Sequence, residues 1–115
     1  MSYNRIKKYA VPVTIASSGT TKTSGVVPIN GLLRGIVVDA PDLDDSDTYT
    51  VTLIDEEGAT IQTFATLAEN SVVAKYIDAN NNYFNQPLHN PQVTITASGA
   101  QAAARDFVIN IYYES

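Results

Sequence analysis

The chain has 115 residues, enough for one domain with a core of its own. It has no cysteine, which excludes a disulfide, a thiol nucleophile and a thiolate metal site. Its net charge of −5 is placed unevenly: residues 1–38 hold five cations and no acid, while residues 39–115 hold twelve acids against Lys75 and Arg105. A basic start on an acidic body suits contact with an acidic surface, a second copy of the chain included. Nucleic acid is disfavoured as a partner, because the acidic body repels phosphates and three to five cations give little binding.

The first ten residues, MSYNRIKKYA, carry charge without an apolar core, so no signal peptide is expected there. No apolar run is long enough to span a bilayer. Residues 1–8, with Arg5, Lys7 and Lys8, read as a basic arm, and residues 9–115 as a single domain. In YAVPVTIAS, Tyr9, Val11, Val13 and Ile15 share one face of a strand. Pro12 cannot donate to a ladder and assigns that strand to an edge or an end. SSGTTKTSG is small, polar and bounded by glycine, as turns are. Asn30-Gly31, at the centre of VVPINGLLRGIVVDA, predicts a turn, and Gly35 a bulge or a close backbone approach. TYTVTLID alternates cleanly, with Tyr49, Val51 and Leu53 on one face and threonines on the other. EEG turns the chain and ATIQTFAT returns as the hairpin partner.

TLAENSVVAKYIDA carries two signals. Thr66 and Glu69 match a helix capping box, but adjacent β-branched residues favour a strand. DANNNYFNQPLHNP is a long loop, QVTITAS a short strand and DFVINIYYE the last strand. Apolar residues on both sides of that last strand predict a central position with both faces covered. Seven or eight short strands with turns between them give an all-β chain: an antiparallel β-sandwich or jelly roll with an extended N-terminal arm.

Little in the sequence points to chemistry. Five aspartates fall between Asp39 and Asp47. Read as a calcium loop from Asp42, they place Asp47 where a glycine is needed and Leu53 where a glutamate is needed, so that pattern fails. A looser calcium cage from Asp42, Asp44, Asp45 and Asp47 stays open. So does the reading in which they cap turns and hold a strand end in solvent. His89 is the sole histidine, and no serine sits in a G-x-S-x-G elbow for a triad. There is no phosphate-cradling glycine motif. No enzyme activity and no cofactor are expected. Seven tyrosines against three phenylalanines suit contact surfaces, and Tyr9, Tyr83 and Phe84 join Arg5, Lys7 and Lys8 as candidate interface residues.

Two stretches carry a resemblance. GLLRGIVVDAPDLDDSDTYTVTLIDEEGATI runs from G-x-L-x-G-[IV]-x-V through an acidic loop to a T-x-T-L-x-D-x-x-G hairpin. QPLHNPQVTITASGAQAAARDFVINIYYES runs from a P-L-x-x-P turn through V-T-I-T to a closing strand ending Ile111-Tyr112-Tyr113. Both resemble small virion proteins of tailed bacteriophages, with Asn90 where a glycine often stands. The resemblance implies a head-associated virion protein made in the host cytoplasm: a capsid decoration (cement) protein, with a neck or tail component as the alternative. It also implies the major capsid protein or another virion protein as partner, and a homo-oligomer, commonly a trimer. A calcium- or carbohydrate-binding adhesion module is the reading that the acidic and Asn/Tyr-rich loops keep open.

Overall fold

The computed structural model describes residues 6–77 and 80–115. Nine strands form among them: β1 (Ile6–Ile15), β2 (Thr21–Thr23), β3 (Asn30–Ala40), β4 (Tyr49–Ile54), β5 (Thr60–Leu67), β6 (Ser71–Lys75), β7 (Pro87–His89), β8 (Gln92–Ala97) and β9 (Arg105–Glu114). They make two antiparallel sheets. One runs β1-β9-β3-β6, with the short β7 also pairing to β3; the other runs β2-β8-β4-β5. With β7 set aside, every pair of consecutive strands except the β4–β5 hairpin changes sheet, in the order of a jelly roll.

Alternation builds the core. In β4, Tyr49, Val51 and Leu53 are buried and the residues between them half-buried. Val11, Val13 and Ile15 of β1 and Phe107, Ile109 and Ile111 of β9 face them from the other sheet. Each such side chain contributes roughly 1.5–3 kcal/mol when fully buried. The β4–β5 hairpin closes as its sequence predicts. The Oδ1 atom of Asp55 accepts the N–H groups of Glu57 and Ala59 at 2.9 and 2.8 Å, and Gly58 takes φ +84°. Pro12 sits on β1, an edge strand, opposite Val108.

Two expectations change, those for Asn30-Gly31 and for the outer side of β9, and the open one at residues 71–75 resolves to a strand. Asn30-Gly31 is no turn but the start of β3. Gly31 is required there because a Cβ would lie 2.1 Å from the Glu114 carbonyl oxygen, and its φ of +146° strains any other residue. Residues 71–75 form a strand, so β-branched stiffness prevails over the capping box, and Thr66 closes β5 in left-handed geometry at φ +58°. β9 is central, but among the described residues only its inner side is covered, with Val108, Asn110 and Tyr112 half-exposed. Gly35 is both a bulge and a close approach: the β3–β9 register slips between Leu33 and Gly35, and a Cβ there would meet the Tyr76 ring at 2.5 Å.

Candidate interaction surface

The acidic stretch is largely a structural tie. It turns through a single 3-10 turn (Asp44–Ser46), with Asp45 and Ser46 at positive φ. The carboxylate of Asp44 accepts the N–H of Ala102 at 2.5 Å and Nη2 of Arg105 at 2.5 Å. That of Asp47 accepts the Ser98 hydroxyl and Nε2 of Gln101, both at 3.0 Å. Gln101, 1% exposed, joins the two: its Oε1 takes the Asp44 N–H at 2.8 Å, and its Nε2 also donates to the Gly99 carbonyl. Buried polar groups are tolerated when so paired. Asp42 lies beside Glu69, whose carboxyl is pushed above its usual range by lost hydration, then by the hydrogen bond and charge of Asp42. Among the described residues no three His, Asp or Glu side chains gather to hold a metal ion. His89 meets Asn30 Oδ1 through Nδ1 and stands 3.5 Å from Glu56 through Nε2, a surface contact that fastens β7 to the β4–β5 turn.

The candidate interface residues do not form one site. Arg5 lies outside the described residues. Lys7, Lys8 and Tyr9 belong to β1, paired with Tyr113, Tyr112 and Ile111, and every residue from Ile6 to Ala10 is exposed. Lys7 and Tyr9 point to one side of the strand and Lys8 to the other. Tyr83 is 77% exposed and bridges to Ile77 just past β6, at the far edge of the same sheet. Phe84 is the correction. It is 3% exposed and packs edge-on against Phe64 with ring centroids 5.2 Å apart, so it belongs to the core and not to a contact surface.

The sequence reading missed the contrast between the two outer sheet faces. Outside the β2-β8-β4-β5 sheet, Thr21, Thr96 and Thr50 form one cross-strand row and Thr23, Thr94, Thr52 and Thr63 the next. Outside the β1-β9-β3-β6 sheet the rows are mostly apolar, each with one polar residue. Val72, Val108 and Pro12 flank Asp39; Ala74, Val37 and Ala10 flank Asn110. Below them Tyr76 covers Gly35 and meets Tyr112 edge-on at 6.3 Å. Val72 is 66% exposed and Tyr76 46%. The signal was present in Val108 and Tyr112 on the outer side of β9, but cross-strand register was needed to assemble it.

Over its whole length the chain matches a chain of the cyanophage Pam1 capsid asymmetric unit, with a TM-score of 0.60, 19% identity and 89% of that chain covered. The fold is that of a phage capsid chain. A second match is to the acid-stable capsid of Helicobacter pylori bacteriophage KHP30, with a TM-score of 0.50 and 12% identity, covering 96% of this chain and 93% of that one. Both neighbours are close to this chain in length. No protein-family model and no curated protein sequence matches the chain.

Proposed function

We propose that the chain is a non-enzymatic structural component of a phage virion, a decoration protein that binds the outside of the head shell and reinforces it. The observation that carries this reading is end-to-end correspondence with two capsid chains of nearly equal length. A match to one domain of a large shell-forming subunit would have left most of that subunit uncovered. The chain's own chemistry supports the same reading. Asp44 and Asp47 are occupied by loop contacts, and His89 pairs with Asn30 and Glu56 at the surface.

The shell partner, the major capsid protein, meets the exposed first half of β1. Lys7 and Tyr9 stand together on one side of that overhang, a cation beside an aromatic ring that can bury area and keep a hydroxyl for hydrogen bonding. An acidic patch on the shell would complement them, and such contacts steer association and weaken with salt. Quantitative mass spectrometry of purified particles tests the reading. It expects the chain at a fixed ratio to the major capsid protein. Absence from washed particles, or a copy number of only a few per particle, contradicts a decoration role.

A further inference from the structure

β9 carries Val108 and Tyr112 on its outer side, between Asp106, Asn110 and Glu114, and among the described residues only its inner side is covered. β3 shows the same pattern at Val37, which lies between the buried Ile36 and Val38 but faces outward. With Val72 and Ala74 of β6, Tyr76 just after it, and Val108 and Tyr112 of β9, Val37 makes a largely apolar sheet face interrupted by Asp39 and Asn110. The opposite outer face of the sandwich is made of threonine, so the asymmetry is specific to this sheet. Exposed apolar surface of this kind marks a contact site.

The charges on the face select its occupant. Lys8 stands at one end of the strands, while Asp39 and Asp106 stand toward the other. The remaining ion pair near the Lys8 end cancels internally, since Arg34 and Glu114 bond at 2.7 Å. The face is therefore positive at the Lys8 end and negative toward Asp39 and Asp106, with the uncharged row Ala10, Asn110, Val37 and Ala74 between. We infer that this face is the interface with a second copy of the chain, packed face to face about a two-fold axis that lies in the interface at right angles to the strands. That operation reverses strand direction, setting Lys8 of each copy over the acidic end of the other. An acidic shell would be repelled by Asp39 and Asp106. A two-fold that preserved strand direction would set like charges together.

The size is sufficient for a specific but dissociable pair. Four strands about 4.8 Å apart and about eight residues long at roughly 3.3 Å each give about 500 Å² per copy, so about 1,000 Å² for the pair, the lower bound for a specific interface. The aromatic pair Tyr76–Tyr112, in the row of Lys8 at the positive end, has the chemistry of interface hot spots.

Sedimentation velocity over a concentration series tests this on the purified chain, independently of particle binding. The wild type should pass from monomer to dimer as concentration rises. Ala74→Glu, which adds a charge at an exposed site in the middle row of the face, on its edge strand β6, should weaken the dimer at least about tenfold while leaving the circular dichroism unchanged. Lys8→Glu and Asp39→Lys should each weaken it, and the double variant should recover most of the loss. Recovery is the decisive readout, because damage to the fold would add and not cancel. A chain that stays monomeric throughout, or an oligomer indifferent to Ala74→Glu and to the charge swap, overturns the proposal. So does loss of particle binding by Ala74→Glu without any change in self-association, which would assign the face to the shell.

Discussion

Tyr49→Phe should make the protein more stable. Tyr49 is 1% exposed, its ring packs on Phe107 with centroids 5.0 Å apart, and its hydroxyl finds no hydrogen-bond partner among the described residues. A buried polar group without a partner costs about 1–3 kcal/mol, and the substitution removes that cost while keeping the ring and its packing. The small void left by one oxygen offsets part of the gain, leaving about 1 kcal/mol, or a rise in Tm of about 4 °C for a domain of this size. The gain should grow in alkali. Burial, and then the negative charge of Asp39, push the Tyr49 hydroxyl up to about 12. Its unfolded value is about 10, so between pH 10 and 12 the unfolded chain ionises first and stability falls. The wild type should lose about 2–3 kcal/mol through this group by pH 12, and Tyr49→Phe should escape that loss. Urea titrations at pH 7 and across the alkaline range give both numbers. A variant less stable than the wild type at pH 7, with an unchanged alkaline slope, refutes the reasoning and means that the hydroxyl is hydrogen-bonded.

Other perturbations follow from the same contacts. Glu69→Gln should raise Tm at pH 7. The raised carboxyl pKa means that the folded chain holds this proton more tightly, so the repulsion with Asp42 is absent in acid and grows as pH climbs through the carboxylate range. The difference from wild type, followed by calorimetry, should close below about pH 4. Gln101→Ala should cost about 2 kcal/mol in chemical denaturation, because the N–H of Asp44 and one oxygen of Asp47 lose a buried partner. Gly31→Ala should cost roughly 3 kcal/mol or more, since the new Cβ meets the Glu114 carbonyl on a backbone that only glycine adopts freely. A melting curve close to wild type would contradict that account of Gly31.

Much of the fold is legible in the sequence where local pattern and tertiary role agree. TYTVTLID alternates because one face of β4 is core, and Asp55 and Gly58 supply the turn chemistry that returns β5. Pro12 names an edge because a missing N–H is harmless only there. Asn90 takes φ +46° in its turn, the left-handed geometry that asparagine tolerates. The failures are non-local. Asn30-Gly31 looks like a hairpin turn, but its glycine answers to Glu114, more than eighty residues away in sequence. The acidic run looks like a cation site because its partners come from far along the chain, Ser98, Gln101 and Ala102 in the loop before β9 and Arg105 at its first position. Tyr83 and Phe84 look alike as neighbours and separate only when Phe64 is there to take one ring. The apolar outer face needs residues from four strands in register, so no single segment reveals it.

The most direct test of a decoration role is reconstitution. Phage heads that lack the protein should bind purified chain saturably at physiological salt, at a fixed ratio to shell subunits, and should then withstand higher temperature before releasing DNA. Lys7→Glu should weaken that binding. Heads that take up none of it, or that take it up without any change in heat resistance, would contradict the account.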